Sequence, residues 1–326
     1  MARRPIILIA LLVGGLAVLG GCGGADPLTG TIAVRGSRNV LPIVSAYAGG
    51  FSDAHPYVRF DVTMNGTGVG IAEFCAGLVP VAGASRPLSA AERAACQASG
   101  VRYARFVVGR DAVILFTRTD PPATCLTLPQ VYAASGAPST GVTTWEDVAR
   151  RSGTPPDGWL TGPLSVVGPP ETSGTMTVFV DLALAPVAEV TGQPAGLRAD
   201  YRTVSAEQGV RAAASARPGS LGVAGYAVAT DWREDLRLAA VDAGDGCVSP
   251  TAETIADGTY PLSRSLEVLV NVEQARRDPL VREFVTGLLD PARAAEVRAA
   301  GSVPVRSGAA IRNGKRWSSV LDGSDR

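Results

Sequence analysis

The stretch Thr172, Ser173, Gly174 and Thr175 (TSGT), followed by the apolar run 176–184, decides how this chain is interpreted. Ser and Thr favour a helix start because their side chains accept hydrogen bonds from its free amides. Gly lets a ligand approach the backbone closely, and the unpaired amides of a helix start attract anions. These four residues alone also fit an ordinary helix cap. The rest of the chain must therefore decide between a cap and a binding loop.

A second turn with the same residue types lies near the start of the chain. GSRNVLPI (36–43) follows a short alternating strand at 31–35. The spacing of Val40, Val44, Tyr47 and Phe51 predicts a helix after this turn. The turn is therefore another helix start that suits an anion.

A third turn, NGTGVGI (65–71), follows a predicted strand at 57–64 and precedes a helix that carries Ile71 and Phe74. One glycine-rich turn is weak evidence for a site. Three strand-to-helix turns that each present hydroxyls and small residues are more than capping requires. Together they predict an anion site built from several loops.

Composition and charge restrict the class of protein. The 326 residues are 46% hydrophobic and 18% charged, which suits about two globular domains. The 30 basic and 30 acidic residues balance, so the chain lacks the electrostatic footprint of a nucleic-acid-binding protein. The sequence contains one lysine, Lys315, and one histidine, His55, for which a solvated or packed role is expected.

Catalysis is not expected. No GxSxG or SxxK motif is present, and no set of residues has the spacing of zinc ligands. NGTGVG lacks the lysine of a nucleotide phosphate loop and the downstream acidic ribose partner. The carboxylates Glu73, Asp111 and Glu171 form no motif, so a structural role is favoured for them. The sequence predicts neither an enzyme, nor a cofactor, nor a metal site.

The first 22 residues have the pattern of an export signal. Arg3 and Arg4 precede an apolar run at 6–19 that is short for a membrane span, and LGGC (19–22) resembles the bacterial lipobox. The expected mature chain begins at a lipidated Cys22 and continues through a tether at 23–30. The alternative is an uncleaved N-terminal anchor. Both place the rest of the chain outside the cytoplasmic membrane.

Four further cysteines, Cys75, Cys96, Cys125 and Cys247, fit an exported chain with two disulfides. Pairing Cys75 with Cys96 would close a short local loop, and Cys125 with Cys247 would then join distant parts of one lobe. Four cysteines allow three pairings, so spacing alone leaves the connectivity open.

Five motifs in order resemble the phosphate-binding proteins of bacterial phosphate ABC transporters. They are GSRNVLPI, NGTGVGI, VAGASRPLS (81–89), TSGT and YPLSRSL (260–266). The family's first crossing strand is similar to 103–117, its tryptophan turn to TTWEDV (143–148), its glycine-tyrosine segment to PGSLGVAGY (218–226) and its closing element to GSVPV (301–305). The resemblance covers roughly residues 30–305.

The resemblance implies an α/β fold of the two-lobed, type II periplasmic-binding-protein kind, with two mostly parallel sheets joined by two crossing strands. Lobe one would comprise 30–110 plus 260–320, and lobe two 111–259. A capping box from Ser89 to Glu92 would open one helix, and 279–300 would supply the closing helices. Residues 311–326 are expected to form a polar, frayed tail. A monomer is expected.

The resemblance also implies a ligand set in the cleft between the lobes. Lobe one would contribute Ser37, Arg38 and Asn39, then Thr67 and Gly68, then Ser85 and Arg86; lobe two would contribute Ser173, Gly174 and Thr175. Contact with the anion is favoured over simple capping for Ser37, Thr67, Ser173 and Thr175. For Arg38 and Ser85 the two roles stay open.

Two positions depart from the family pattern. Family members usually carry an arginine four residues before the serine of SGT, where this chain has Pro169. One branch of the family has an aspartate that accepts the proton of phosphate, where this chain has Arg86, as another branch does. A fully ionised oxyanion needs only donors, so these residues do not enforce phosphate over sulfate. We hypothesise that Arg38 supplies the missing charge from the opposite lobe.

The expected function is capture of inorganic phosphate for an ABC importer by a lipoprotein anchored to the outside of the cell membrane, with the permease subunits as partners. The first alternative is a surface sensor or interaction protein with the same fold. The second is a receptor for another tetrahedral oxyanion, such as sulfate.

Overall fold

The computed structural model describes residues 28–118, 125–153, 161–229 and 237–324. The predicted signal peptide (1–22), with the lipidation site Cys22, and most of the predicted tether lie outside these residues.

The described residues form twelve strands and fourteen α-helices. The strands are β1 (Gly30–Gly36), β2 (Val58–Thr63), β3 (Val81–Ala84), β4 (Tyr103–Arg118), β5 (Cys125–Thr127), β6 (Ser165–Gly168), β7 (Arg202–Thr203), β8 (Ser220–Gly225), β9 (Arg237–Leu238), β10 (Ala240–Asp242), β11 (Cys247–Val248) and β12 (Ser263–Asn271). The helices are α1 (Leu41–Ala54), α2 (Thr67–Cys75), α3 (Ala90–Ala98), α4 (Leu128–Ser135), α5 (Trp145–Ser152), α6 (Gly174–Phe179), α7 (Ala185–Thr191), α8 (Glu207–Ser215), α9 (Tyr226–Ala229), α10 (Ala252–Asp257), α11 (Val272–Arg277), α12 (Pro279–Leu288), α13 (Ala294–Ala299) and α14 (Ser307–Asp322). A π-helical segment, Val180–Leu184, joins α6 to α7.

The strands form two main sheets that share β4. In lobe one the order is β2-β1-β3-β12-β4, and in lobe two it is β4-β8-β6-β7, with β9 also paired to β4. The two-lobed α/β fold is confirmed. Its sheets are mixed, because the pairs of β4 with β12, β8 and β9 and of β12 with β3 are antiparallel. A small third sheet contains β11, β10 and β5.

Each predicted strand-to-helix turn in lobe one is present. Val40, Val44, Tyr47 and Phe51 are all buried, as the helical spacing predicts. The first turn requires glycine, because Gly36 has φ of +129° and a Cβ there would lie 2.0 Å from the carbonyl oxygen of Gly83. This close approach fixes the end of β1 against β3 and so places the residues that follow.

Each lobe has its own buried core. The core of lobe two contains Trp145, Phe116 and Phe179. The core of lobe one contains Phe106 and Phe284, with a smaller cluster around α2 and α3. The sequence boundaries, 30–110 plus 260–320 for lobe one and 111–259 for lobe two, remain our proposal for where one lobe ends and the other begins.

The lobes are joined along β4 and the chain that returns beside it. Val113 in β4 donates its amide hydrogen to Leu262 O at 3.0 Å, and the buried Tyr260 hydroxyl donates to Val113 O at 3.1 Å. Arg110 and Val303 exchange two backbone hydrogen bonds of 2.7 and 2.8 Å. The segment 301–305 therefore belongs to the same junction between the lobes as β4.

The two predicted disulfides are present, and of the three pairings that the sequence allows they join Cys75 with Cys96 and Cys125 with Cys247. The first joins the buried ends of α2 and α3. The second joins β5 to β11 across the small sheet. The capping box at α3 is also confirmed, because the side chains of Ser89 and Glu92 accept each other's backbone amide hydrogens.

The prediction of a frayed C-terminal tail is wrong. Ser307–Asp322 is a helix, α14, that buries Trp317 and Val320 against lobe one. The Trp317 indole donates to Thr286 Oγ1 at 2.9 Å and packs edge-on against Phe106. The segment is mostly polar, and only Trp317 and Val320, three positions apart, are buried apolar residues of the helix. This short pattern did not indicate a helix in the sequence.

We expect Trp317→Ala to lower the free energy of unfolding by about 3 to 5 kcal/mol, because it leaves a cavity beneath α14. The exposed neighbour Lys315→Ala should change it by less than about 0.5 kcal/mol. Urea unfolding measures both. Equal, small effects of the two variants would show that α14 does not contribute to the core.

Candidate anion-binding site

A cavity of about 960 Å³ lies between the lobes, and we call it the cleft. It is lined from both lobes by residues of all five motifs. The lining residues are Ser37, Arg38, Asn39, Gly66, Thr67, Ser85, Arg86, Pro87, Arg110, Thr172, Gly174, Thr177, Val178, Asp181, Leu182, Ser263, Arg264 and Ser265. Of the predicted ligand set, Gly68, Ser173 and Thr175 do not line this cavity themselves but adjoin residues that do.

The loop after β1 presents Ser37, Arg38 and Asn39. Ser37 is 3% exposed, and its amide donates to Gly83 O at 2.8 Å. Its Oγ accepts the amide hydrogen of Asn39 at 3.2 Å. The hydroxyl hydrogen of Ser37 is not used in that bond, so it remains able to donate to a ligand.

The loops after β2 and β3 are held together by their hydroxyls. Thr67 Oγ1 lies 3.2 Å from Ser85 Oγ and accepts the Ser85 amide hydrogen at 3.3 Å. Gly68 follows Thr67 in the first turn of α2. This contact brings residues eighteen positions apart to one side of the cleft. Sequence reasoning put Thr67 and Ser85 in one site, and the structure places them in direct contact.

Arg86 forms a two-point ion pair. Its NH1 and NH2 each donate to a Glu92 carboxylate oxygen at 2.8 Å. The Arg86 guanidinium, together with the hydrogen bonds from Ser89, lowers the pKa of Glu92 to about 2. The positive charge of Arg86 is therefore matched by a carboxylate in this structure.

The lobe-two side of the cleft is the start of the helical run Gly174–Thr191. Ser173 Oγ accepts the Met176 amide hydrogen at 3.1 Å, so the residue is a helix cap. Capping uses an acceptor lone pair and leaves the hydroxyl hydrogen available. A Cβ on Gly174 would lie 3.1 Å from Asn39 Oδ1, so the two lobes come close at this point.

The cleft contains arginines that sequence reasoning did not assign to the site. Arg110 in β4 and Arg264 in β12 both line it, and the Nε atom of each is buried without a hydrogen-bond partner among the described residues. Arg264 also pairs with Asp111 at 3.2 Å. Arg264 belongs to the quoted YPLSRSL motif, which was a signal for it. Arg110 had no such signal.

Charge in the cleft is mainly positive. Arg38, Arg86, Arg110 and Arg264 line it, while Asp181 is the one carboxylate among the described lining residues. Arg38 is exposed, and its Nε donates a long hydrogen bond to Met64 O at 3.4 Å. Pro169 is buried, and its carbonyl accepts from the Tyr201 hydroxyl at 3.2 Å. Lobe two therefore contributes no arginine to the described lining.

The remaining polar candidates have structural roles. His55 packs on Phe51 with ring centres 4.5 Å apart. Glu73 pairs with Arg35 at 3.3 Å. Among the described residues no group of three or more His, Cys, Asp or Glu side chains is placed to hold a metal ion.

The two-lobed fold with a cavity between the lobes is that of a substrate-binding protein. The chain belongs to the PBP superfamily, whose domain model matches residues 24–290. Members of this family are substrate-binding proteins, so the chain is a binding protein and not an enzyme.

Named proteins that are similar to this chain support its assignment to this family. The chain is 30% identical to protein SphX of Synechocystis over 93% of this chain and 85% of that protein. It is 26% identical to the phosphate-binding protein PstS of Staphylococcus epidermidis over 87% and 85%. A crystal structure of a possible phosphate-binding protein from Planctomyces limnophilus is 30% identical, covers 90% of this chain and 99% of its own, and has a TM-score of 0.75. The resemblance inferred from the five motifs is confirmed.

We expect Glu92→Gln to lower the melting temperature at neutral pH, because it removes the ion pair with Arg86. The pKa of Glu92 is depressed in the folded chain, so its stabilising effect is present above the ordinary value of 4.5 and is lost as the pH falls towards 2. The gap between wild type and variant should therefore close over that pH interval. Thermal unfolding at several pH values measures it.

The exposed carboxylate Glu283 provides the matched control, Glu283→Gln. A gap for Glu92→Gln that stayed constant from pH 7 to the acid limit would contradict the ion-pair account.

Proposed function

We propose that this chain binds inorganic phosphate in the cleft and delivers it to the permease of an ABC importer. The observation that supports the proposal most strongly is the convergence of loops from both lobes on one cavity. Ser37, Thr67 and Gly174 line that cavity, although they come from different motifs of the sequence. Relatives that share 26 to 30% identity include proteins named as phosphate-binding.

The chemistry of the cleft suits a tetrahedral oxyanion. Ser37, which lines the cleft, and Ser173, which adjoins residues that line it, each accept a backbone amide hydrogen and keep the hydroxyl hydrogen available for a ligand. Hydrogen bonds to a charged acceptor are stronger than those between neutral groups. The start of the Gly174–Thr191 helix adds a favourable field from the opposite side.

Delivery requires the cleft to open and close. In our proposal the junction along β4, Tyr260 and Val303 acts as the hinge, and the anion favours the closed arrangement because only then do both lobes contact it. The near contact between Asn39 of lobe one and Gly174 of lobe two supports a closed arrangement in which both lobes contact a small ligand.

We further propose that the chain is a lipoprotein, attached through Cys22 to the outer side of the cell membrane. The sequence signal at 1–22 and the two disulfides support this location, because disulfides persist in oxidising compartments. The intact mass of the exported protein checks the predicted lipid.

A receptor for another oxyanion, such as sulfate, is the second candidate. It is favoured by Arg86, which stands where one branch of the family has an aspartate that accepts the proton of phosphate. Asp181 opposes it, since its carboxylate lines the cleft from the facing lobe and would accept such a proton.

Calorimetric titration of the purified chain with phosphate and with sulfate tests the proposal. We expect saturable binding of phosphate, and weaker binding of sulfate if Asp181 accepts the proton. Arg38→Ala should weaken phosphate affinity about tenfold, which corresponds to about 1.4 kcal/mol, because a charge facing the anion is removed.

Arg59→Ala is the matched control, since Arg59 is an exposed arginine of the same lobe and is not part of the cleft lining. Absence of binding to either anion would overturn the transport proposal. An unchanged dissociation constant for Arg38→Ala would overturn the role of Arg38 as the replacement for the family's missing arginine.

A further inference from the structure

The end of lobe one opposite the cleft has a surface that anion binding does not use. The cleft loops follow the last residues of β1, β2 and β3, so the opposite end is formed where these parallel strands begin. We call this surface the outer face. It comprises residues 55–59, 77–80, 100–103 and 272–277, which precede β2, β3 and β4 or follow β12.

Two large hydrophobic side chains project from the outer face. Tyr57 is 66% exposed and Leu78 is 71% exposed. β1 lies between β2 and β3, so these side chains stand at the starts of strands two positions apart, roughly 10 Å across the sheet. Single exposed apolar residues are common, but this pair flanks the strand on which the chain enters the lobe.

Arginines lie on the same face as the hydrophobic pair. A groove of about 560 Å³ is lined by Arg93, Arg102 and Arg276, and no acidic residue is among its described lining residues. Arg102 is 63% exposed. Glu273 lies beside the groove, 3.5 Å from Arg102 and 3.7 Å from Arg276, and so offsets part of this charge.

Further charges complete the outer face. Arg59 and Arg277 are exposed. Asp53, near the end of α1, and Asp61 in β2 are exposed carboxylates four positions from Tyr57, and Asp61 pairs with Arg35. Asp278 caps α12 through the Leu280 amide. Basic side chains thus outnumber free carboxylates on this surface.

The two lobes differ in net charge in the same direction. Residues 30–110 and 260–320 contain 18 basic and 10 acidic side chains, whereas 111–259 contain 9 basic and 17 acidic. The chain as a whole is neutral, so with the proposed boundaries the two lobes have net charges of opposite sign. An anionic surface would attract lobe one and repel lobe two.

The predicted tether restricts where that surface is. Residues 23–29 would connect Cys22 to β1, and seven residues reach at most about 25 Å when fully extended. Because β1 begins between Tyr57 and Leu78, a lipid on Cys22 would hold the outer face close to the membrane.

We propose that the outer face rests on the headgroup region of an anionic phospholipid membrane. Tyr57 and Leu78 enter the interface, where tyrosine is favoured because one end of its ring is apolar and the other polar. The arginines pair with lipid phosphates. This inference rests on the lipid anchor of the proposed function, and it leaves the cleft facing away from the lipid surface and open to solute.

Hydroxyl-radical footprinting of the full lipidated protein tests the proposal. The protein is held on vesicles of saturated phosphatidylcholine, with or without phosphatidylglycerol, and the oxidation of individual side chains is measured. We expect Tyr57 and Leu78 to be oxidised severalfold more slowly on the vesicles that contain phosphatidylglycerol. Val190, which is 88% exposed on lobe two, should be unaffected.

The double variant Arg59→Gln, Arg102→Gln should lose the protection, whereas Arg150→Gln, Arg151→Gln on lobe two should keep it. High salt should also remove it, because exposed charges are screened. Equal oxidation of Tyr57 and Leu78 on both kinds of vesicle would overturn the proposal. Protection that requires added permease would overturn it too, and would assign the outer face to a protein partner.

The anchor and the anion site are measured separately in the same samples. The intact mass reports whether Cys22 carries lipid, so a missing anchor is distinguished from an unprotected outer face. Phosphate titration of the Arg59→Gln, Arg102→Gln variant should match wild type. A failure of phosphate binding in wild type would refute the proposed function without affecting the footprinting result.

Discussion

The backbone ladder along the sixteen-residue strand β4 is the constraint on which the rest of the structure depends. Its first part pairs with β12 in lobe one, and its last residues pair with β8 in lobe two. Each half is held by hydrogen bonds inside its own lobe, and the change of partner falls between Ala112 and Val113. Tyr260, fully buried beside Val113, and the Arg110 to Val303 pair strengthen that junction. The position of the cleft follows from this connection.

The junction along β4 places small polar side chains of the two lobes on opposite sides of the cleft. Ser37 and Ser173 each satisfy a backbone amide and still have a hydrogen to donate. The same residue can therefore cap a helix and contact an anion, which removes the conflict between the two interpretations of TSGT. With Pro169 buried in lobe two, the described arginines of the cleft all come from β4, β12 and the loops of lobe one. In our account lobe one supplies the charge and lobe two supplies neutral donors.

Local pattern predicted much of this fold. The helical spacing from Val40 to Phe51 marked α1, and the pairing of Ser89 with Glu92 marked the start of α3. Those signals lie within a few residues of one another. The sequence did not predict Arg110 and Arg264 as site residues, because they come together only when β4 pairs with β12, more than 150 positions away along the chain. α14 was missed because two buried residues, Trp317 and Val320, are enough to dock a helix that is otherwise polar. The sequence did not predict the outer face for the same reason, since only the strand order β2-β1-β3 places Tyr57 and Leu78 on either side of β1.

The most direct test of the central claim is a crystal structure of the protein grown with phosphate. The account predicts one anion in the cleft, contacted from lobe one by Ser37 and Thr67 and from lobe two by Ser173 and the amides that follow it, with Arg38 turned towards it. An anion held by one lobe alone, or a cleft that contains none at saturating phosphate, would contradict the account.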